Sequence, residues 1–536
     1  MIPVQSGNNA KQNESAAMTA MGARVAGMAS AVLFAKGATV IIAGLAFVIV
    51  SRILGPTTYG LYVLASSFAG ILGTFSNPGI SQALSKFVSE HKSSKNIHAL
   101  SSVVSGGYLI SGLIGLALML GSIALSAPIA SVVFGSVTYT YLIVYASMLI
   151  LLVSLFAVAT SALVGAGQGK DLVVSTLLQV LFQSGVSISL AILRYGASAP
   201  ILGFAVGLFV GIAYATYKLY SGNNIRLHLP SRDAVLSLFG FLAPISAFAV
   251  FSGIVSSAAN IILGKFSATS NVGNVGVAQK TAGIMSLATD SVSTALLPAI
   301  AAVPHNDENS RAGKIYNYSL YIAMVIFAPV AFYMVFMSHS ISFVLFGPSY
   351  SLAPYYLAIV GVGIIFSILS DYTYALLIGR NAYSKRVSIS AIGAVVLEVA
   401  LLLATIPFFK GFGLLITVSL LTPLFTFAVY AYYARKMLKI EIRSARIGRV
   451  IAAAFISSIV IILPILIVRP STIYGNLAVA LGSVVIMLMF YPAVLAFTGA
   501  ITAEDVKSVK EMSKGVPIAG VLLNRIVDYA DGFLRL

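Results

Sequence analysis

Cysteine is absent from the 536 residues, which removes disulfides, thiolate metal sites and cysteine nucleophiles together. Charge is scarce as well: 9% of residues are Asp, Glu, Lys or Arg, against roughly 25% in an ordinary soluble domain. The histidines His91, His98, His228, His305 and His339 fall in loops or at the ends of apolar segments without metal-ligand spacing. They are expected to be solvated, and neither a metal nor another cofactor is expected. A Gly-Lys-Ser/Thr phosphate loop is missing, which leaves ATP hydrolysis without a site; Gly165-Ala166-Gly167-Gln168-Gly169 reads as a turn. The first 26 residues lack the charged start, apolar stretch and cleavage site of a secretory signal. They read as a loose cytoplasmic tail.

What the chain does have is apolar sequence, 59% of its residues, with a mean hydropathy of +0.99. A soluble fold cannot hide that much apolar surface, so lipid must cover it. Backbone crossing lipid must satisfy its own hydrogen bonds, in helices of about 20 residues or in a closed barrel. The long continuous apolar runs exclude the barrel. An all-α polytopic membrane protein is therefore expected, with about fourteen spans starting near residues 28, 59, 98, 138, 171, 199, 235, 273, 313, 350, 386, 411, 448 and 474.

An even number of spans puts both termini on one side, and the Lys and Arg positions say which. Twenty-five of the 32 basic residues fall on one side, five (Arg52, Arg194, Lys265, Lys410, Arg469) on the other, and Lys36 and Lys280 within spans. Basic residues are retained in the cytoplasm during insertion, so both termini are expected there, in a multi-pass protein of the plasma membrane. The formal charge of +17 then reflects topology and gives no reason to expect nucleic acid. Attraction of the basic loops to anionic headgroups is the alternative.

Landmarks recur at a nearly constant separation. Ala69-Gly70-Ile71 returns as Ala282-Gly283-Ile284, Phe134-Gly135 as Phe346-Gly347, Gly165 as Gly379 and Gly196 as Gly411, with offsets of 212 to 215 residues. Recurrence in order implies two homologous six-helix lobes of the same orientation, with a cleft between them. The expected organisation is a tail over 1–27, a first lobe over 28–220, a polar linker over 221–234 and a second lobe over 235–434. A basic loop with two further spans follows over 435–498, then a cytoplasmic tail over 499–536. In that tail Thr502, Glu504 and Asp505 suit a helix start, and Leu522, Ile526, Tyr529, Phe533 and Leu536 form an apolar stripe suited to lying on a membrane surface. Pro78-Gly79, Pro244, Pro298 and Pro329 interrupt the apolar spans, either as bends that gate the cleft or as prolines that membrane helices ordinarily tolerate.

Ionisable groups inside spans cost at least about 2.5 to 3.5 kcal/mol on insertion scales, so each is a functional candidate. Lys36 and Lys280 are two, and either can instead snorkel to its nearer surface. The acids are Asp290, Asp371 and Glu398. They can bind a proton or Na⁺ and couple its gradient to motion, or serve as interhelical hydrogen-bond or salt-bridge partners, for example to Lys280.

Leu54-Gly55-Pro56-Thr57-Thr58-Tyr59-Gly60-Leu61-Tyr62 resembles the signature of the polysaccharide and oligosaccharide flippases of the multidrug/oligosaccharidyl-lipid/polysaccharide (MOP) superfamily. Gly-Pro suits the turn, and Tyr59 and Tyr62 suit the membrane interface. The stretch from Asn260-Ile261-Ile262-Leu263-Gly264 to Ala278-Gln279-Lys280 is similar to the same family's seventh and eighth spans, and Phe497 to Asp505 to its tail. Ala259 and Asn260 stand where many members carry an acidic-basic pair. The resemblance implies a V-shaped, MATE-like pair of lobes that opens a central cavity alternately to either face. Its substrate would be a polyprenyl or dolichyl (pyro)phosphate carrying sugars, handed on within a pathway of glycosyltransferases or a polymerase.

The same resemblance places the first and eighth helices along the cleft, which makes Lys36 and Lys280 counter-charges for the crossing phosphate. Arg52 becomes either a release-side partner or an interfacial anchor. The implied activity is transport by a monomer among membrane lipids rather than catalysis. A cation-coupled drug or metabolite antiporter of the superfamily is the alternative, although such exporters usually have twelve spans and an acidic residue in the first helix. A glycan polymerase would need a catalytic acid or base in a large loop, and the internal loops reach only about 15 residues.

Overall fold

The computed structural model describes the backbone of residues 6–77, 79–94, 96–223, 228–301, 303, 310–380, 385–442, 444–468 and 470–502, and most side chains from residue 37 onward. Seventeen α-helices account for nearly all of it: α1 (Ser6–Ser76), α2 (Ile80–Ser93), α3 (Ile97–Ala124), α4 (Ser126–Phe134), α5 (Thr140–Gly165), α6 (Gly169–Ile192), α7 (Ser198–Asn223), α8 (Arg232–Phe266), α9 (Thr269–Ala301), α10 (Ser310–Phe336), α11 (Ser338–Phe346), α12 (Ala353–Gly379), α13 (Lys385–Ile416), α14 (Thr422–Leu438), α15 (Ser444–Val460), α16 (Leu463–Val468) and α17 (Ile473–Phe497). No strand occurs among the described residues.

Ten helical stretches among the described residues are long and apolar enough to cross a membrane, fewer than the fourteen spans expected. Of the four missing, two were expected near residues 235 and 273, in α8 and α9, which are not among the ten, and two disappear by joining: Gly37–Ser76 is a single stretch of 40 residues and Ile389–Leu438 one of 50, each at least twice what one crossing requires. Each contains a sharp break. Gly55 takes φ 69° and ψ 171° inside α1, and Lys410 takes φ 52° and ψ −126° inside α13. The second break follows Pro407, at the boundary expected between the spans starting near 386 and 411. By contrast, helices α8, α9 and α10 run through positions 244, 298 and 329. A proline removes one hydrogen bond from the ladder, and a membrane helix tolerates that. The helix is truly interrupted near Pro78, where α1 ends at Ser76 and α2 restarts behind Gly79. The backbone is also helical from Ser6, within the stretch expected to be a loose tail. The expected helix start at Glu504 and the apolar stripe from Leu522 to Leu536 lie outside the described residues.

The chain divides into two compact units, residues 1–54 with 64–258, and residues 55–63 with 259–536. The division after Ala258 falls within α8, which runs unbroken from Arg232 to Phe266. The end of the expected linker is tied to α3 within the first unit: the Ser231 amide donates to Ser102 Oγ at 2.7 Å and the His228 amide to Ser105 Oγ at 3.1 Å.

In the first unit, Leu84 and Val88 of α2, Val103 and Val104 of α3, and Val158 and Leu163 of α5 form one buried cluster. Lipid offers no hydrophobic gain for association between helices, so close van der Waals packing through small residues must supply it. Helix α7 shows how. A methyl on Gly203 would collide with Ser187 of α6, one on Gly207 with the Gln179 carbonyl, and one on Gly211 would lie 2.6 Å from Phe156 Cε2. Gly167, with φ 67°, forms the expected turn between α5 and α6.

In the second unit α12 is central, packing against α9, α10, α11 and α14, while α15 packs on α10 and α17. Tyr316, Tyr350, Tyr356 and Tyr372 are its largest fully buried side chains. Local structure repeats between the units. The 28-residue α3 is followed by the nine-residue α4 ending at Phe134-Gly135, and the 27-residue α10 by the nine-residue α11 ending at Phe346-Gly347. Gly165 and Gly379 close α5 and α12, each pressed on a neighbouring helix: Gly165 on Ser85 and Val88, Gly379 on Leu297 and Ile300.

Candidate functional site

The signature segment Gly55–Val63 belongs to the second unit. Its resumed helix lies against the first turns of α9 at a backbone-to-backbone distance that only glycine permits. A methyl on Gly60 would collide with the Thr269 carbonyl, and one on Gly273 with the Pro56 carbonyl. Gly276 receives Val63, and a methyl there would stand 3.4 Å from Tyr59 Cε1. Tyr59 is therefore buried, at 4% exposure, instead of anchoring at an open interface as expected. Its ring centroid lies 5.4 Å from that of Tyr62.

Two asparagines one turn apart on α9 knit this contact to α12. Asn274 Oδ1 accepts the Leu352 and Ala353 amides at 3.1 and 2.9 Å. It thereby satisfies two of the amide donors left open at the start of α12, whose own preceding residue Leu352 has no side chain able to cap. Tyr356 donates its hydroxyl to Asn271 Oδ1, and Asn271 Nδ2 donates to Ser267 Oγ at 2.6 Å. A methyl on Gly411, just past the Lys410 break, would collide with the Tyr356 hydroxyl. Nearby Tyr350 sits between α11 and α12, and burial pushes its phenol well above the ordinary range. The i, i+3 spacing of Asn271 and Asn274 among small residues is the one trace this contact leaves in the sequence.

The expected ionisable residues are distributed over both units. Lys36 and Arg52 lie on α1 in the first unit, sixteen positions apart, about 24 Å of helical rise. One phosphate therefore cannot reach both at once. The Arg52 side chain is exposed; the Lys36 side chain lies outside the described residues. Lys280, Asp290, Asp371 and Glu398 belong to the second unit. Lys280 is exposed on α9, in line with Gly283 and Leu287, opposite the buried Val275, Ala278 and Thr281. Among the described residues Lys280 makes no ion pair, so the salt bridge considered for it does not form with Asp371 or Glu398. The Asp290 side chain lies outside the described residues, and its position on α9 is about 15 Å along the axis from Lys280.

Asp371 is half-buried in a polar band on α12. Ser370 hydrogen-bonds Thr426 of α14 at 2.8 Å, Thr373 bonds Tyr316 of α10 at 2.8 Å, and Ser293 of α9 donates to the Asp371 carbonyl at 3.3 Å. This acid thus stands where four helices share hydroxyl groups. Glu398 is half-buried on α13, away from those bonds.

No cluster of three or more potential metal ligands occurs among the described residues. Two histidines do meet: His98 and His228 stack with centroids 5.1 Å apart and planes at 26°, a pairing that separate solvation had not suggested. An ion pair in the first unit joins Lys218 to Asp171 at 3.7 Å, with Tyr214 donating to the same carboxylate at 3.1 Å.

Residues 49–354, more than half of the chain, match the family described as polysaccharide biosynthesis protein. The chain is 24% identical over 409 residues to the probable low-salt glycan biosynthesis flippase Agl15 of Haloferax volcanii, across 74% of this chain and 81% of that one. Among solved structures, the lipid II flippase MurJ in an inward closed conformation matches with a TM-score of 0.66 at 17% identity, covering 87% of this chain and 98% of that one. An inward-facing multidrug resistance MATE family transporter of the MOP superfamily matches at 0.63 and 16%, covering 75% and 94%. The likeness to these structures is one of fold: an all-α membrane protein of MATE- and MurJ-like architecture.

Proposed function

This chain belongs to the polysaccharide biosynthesis protein family, and we propose that it is a secondary-active flippase. It carries a sugar chain on a polyprenyl or dolichyl (pyro)phosphate across the plasma membrane by alternating access of two lobes, residues 28–220 and 235–434. Fourteen crossings follow if the 40- and 50-residue stretches each cross twice and α8 and α9 cross once each; an even number keeps both termini on one side, and the bias of basic residues supports the cytoplasmic side.

The observation that carries this reading is Lys280: exposed, three turns into a 33-residue helix, and in no ion pair among the described residues. A cation at that depth is costly unless it meets an anion, and a phosphate 4 Å away repays roughly 4 kcal/mol at an effective dielectric near 20. Lys36 supplies the matching charge on α1, and Arg52 a later station nearer the opposite surface. Asp371 and Glu398, with Asp290, are the groups through which a proton or Na⁺ gradient drives the lobes.

Reconstitution into liposomes with labelled lipid-linked sugars, scoring which species changes leaflet, tests the reading. Translocation of the glycan-lipid is expected. Movement of soluble drug-like cations without movement of any glycan-lipid would replace it with the antiporter.

A further inference from the structure

Two turns, one in each unit, carry the same combination of a strained backbone, a cation and open apolar side chains. Helix α6 ends in a closed cap, in which the Arg194 amide donates to the Ala191 carbonyl at 3.1 Å and the Tyr195 amide to the Leu190 carbonyl at 3.0 Å. That pattern needs a left-handed residue after the helix, usually glycine; here it is Arg194, with φ 64°. In the second unit α13 breaks at Lys410, with φ 52° and ψ −126°, the backbone of the first central residue of a type II′ turn and again one that favours glycine. The recurring glycines Gly196 and Gly411 follow within two residues. We propose that these two turns are lipid anchors, each binding the phosphate of an anionic phospholipid at the membrane surface opposite the termini.

The side chains around each cation suit that ligand. Leu193 is 66% exposed and Tyr195 56%, beside an exposed Arg194; Phe408 is 80% exposed and Phe409 63%, beside an exposed Lys410. Apolar groups left open at a helix end gain by lying in acyl chain instead of water, and aromatic rings favour the boundary between acyl chain and headgroup. A cation held among them meets phosphate at the same depth. The helix dipole also favours a cation at either turn, but a glycine cap with the cation one turn earlier would serve the dipole without the strain. Strain kept in both units thus marks a task for the side chain itself.

Position along the helices agrees. Helix α6 starts at Gly169 beside Lys170, and α13 at Lys385, on the face where basic residues accumulate. The 24 residues of α6 rise about 36 Å, against a hydrocarbon core of about 30 Å, which carries Arg194 to the headgroup region of the far face. Lys410 lies a similar distance from Lys385. The site is independent of what the protein carries.

Because the chain contains no cysteine, a single introduced one reports on each turn. Leu193→Cys and Phe408→Cys, each labelled with a fluorophore, are placed in phosphatidylcholine nanodiscs that contain a small fraction of either phosphatidylglycerol or phosphatidylcholine bearing a quencher near the headgroup. The phosphatidylglycerol probe is expected to quench both labels about twofold or more over the phosphatidylcholine probe. Adding Arg194→Gln should abolish that preference at the first label and leave it at the second, and Lys410→Gln should do the converse. Equal quenching by the two probes, or a preference that survives removal of the adjacent cation, would overturn the site. Loss of the preference in inorganic phosphate, but not in chloride of equal ionic strength, would make free phosphate the ligand and overturn the lipid. In lipid-free neutral detergent Lys410→Gly should raise the thermal midpoint, since glycine takes that backbone without strain; a lowered midpoint would mean that the lysine serves the turn alone and would overturn the anchor. None of these readouts involves transport, so they stand or fall apart from the flippase assay.

Discussion

Gly60 and Gly273 face each other so closely that a methyl group on either would lie 3.0 to 3.1 Å from the other's amide nitrogen while colliding with a carbonyl on the opposing segment. The glycine of the signature segment thus has a specific counterpart more than 200 residues away. The reason for glycine at both positions is backbone approach, since neither is in the positive-φ region.

Replacing either one tests that contact. Gly60→Ala and Gly273→Ala are each expected to destabilise the protein by about 1–3 kcal/mol through overpacking against rigid backbone. Gly73→Ala, on the same helix with nothing within 4 Å of the added methyl, should be neutral or slightly stabilising. Thermal unfolding in detergent compares the three, and an unaltered midpoint for Gly273→Ala would refute the packing.

Asn274 holds the start of α12 through two amide hydrogen bonds. Asn274→Ala should cost about 1–2 kcal/mol, in the range of a lost cap, whereas Tyr356→Phe, which removes one hydroxyl from Asn271, should cost about 1 kcal/mol. Hydrogen exchange at residues 352–356 reads the difference: faster exchange is expected in Asn274→Ala and little change in Tyr356→Phe.

Lys36→Ala and Lys280→Ala are each expected to lower glycan-lipid translocation about tenfold or more, the worth of a charge-assisted phosphate contact, with unchanged protein abundance. Lys280→Arg should retain part of the activity because the charge remains. Normal transport in the double alanine variant would end the assignment.

Glu398→Gln and Asp371→Asn separate the coupling candidates. If either acid carries the driving ion, its amide variant should transport without responding to an imposed proton or Na⁺ gradient, since an amide neither titrates nor holds a cation. An intact gradient response in a variant removes that acid from the role. Asp371→Asn should also leave the Ser293 bond in place, because that bond goes to the backbone carbonyl.

Much of this molecule follows from local properties of the chain. Hydropathy and run length require membrane helices, and the recurrence of Phe134-Gly135 as Phe346-Gly347 was visible before the matching nine-residue helices that end there. Other features depend on segments far apart in sequence. The joining of stretches at Gly55 and Lys410, the passage of helices through Pro244, Pro298 and Pro329, and the burial of Tyr59 leave no periodic trace. The physical reason is one of range: whether a residue prefers lipid to water is settled by its own side chain and its near neighbours, but which glycine meets which carbonyl is settled by how whole helices pack.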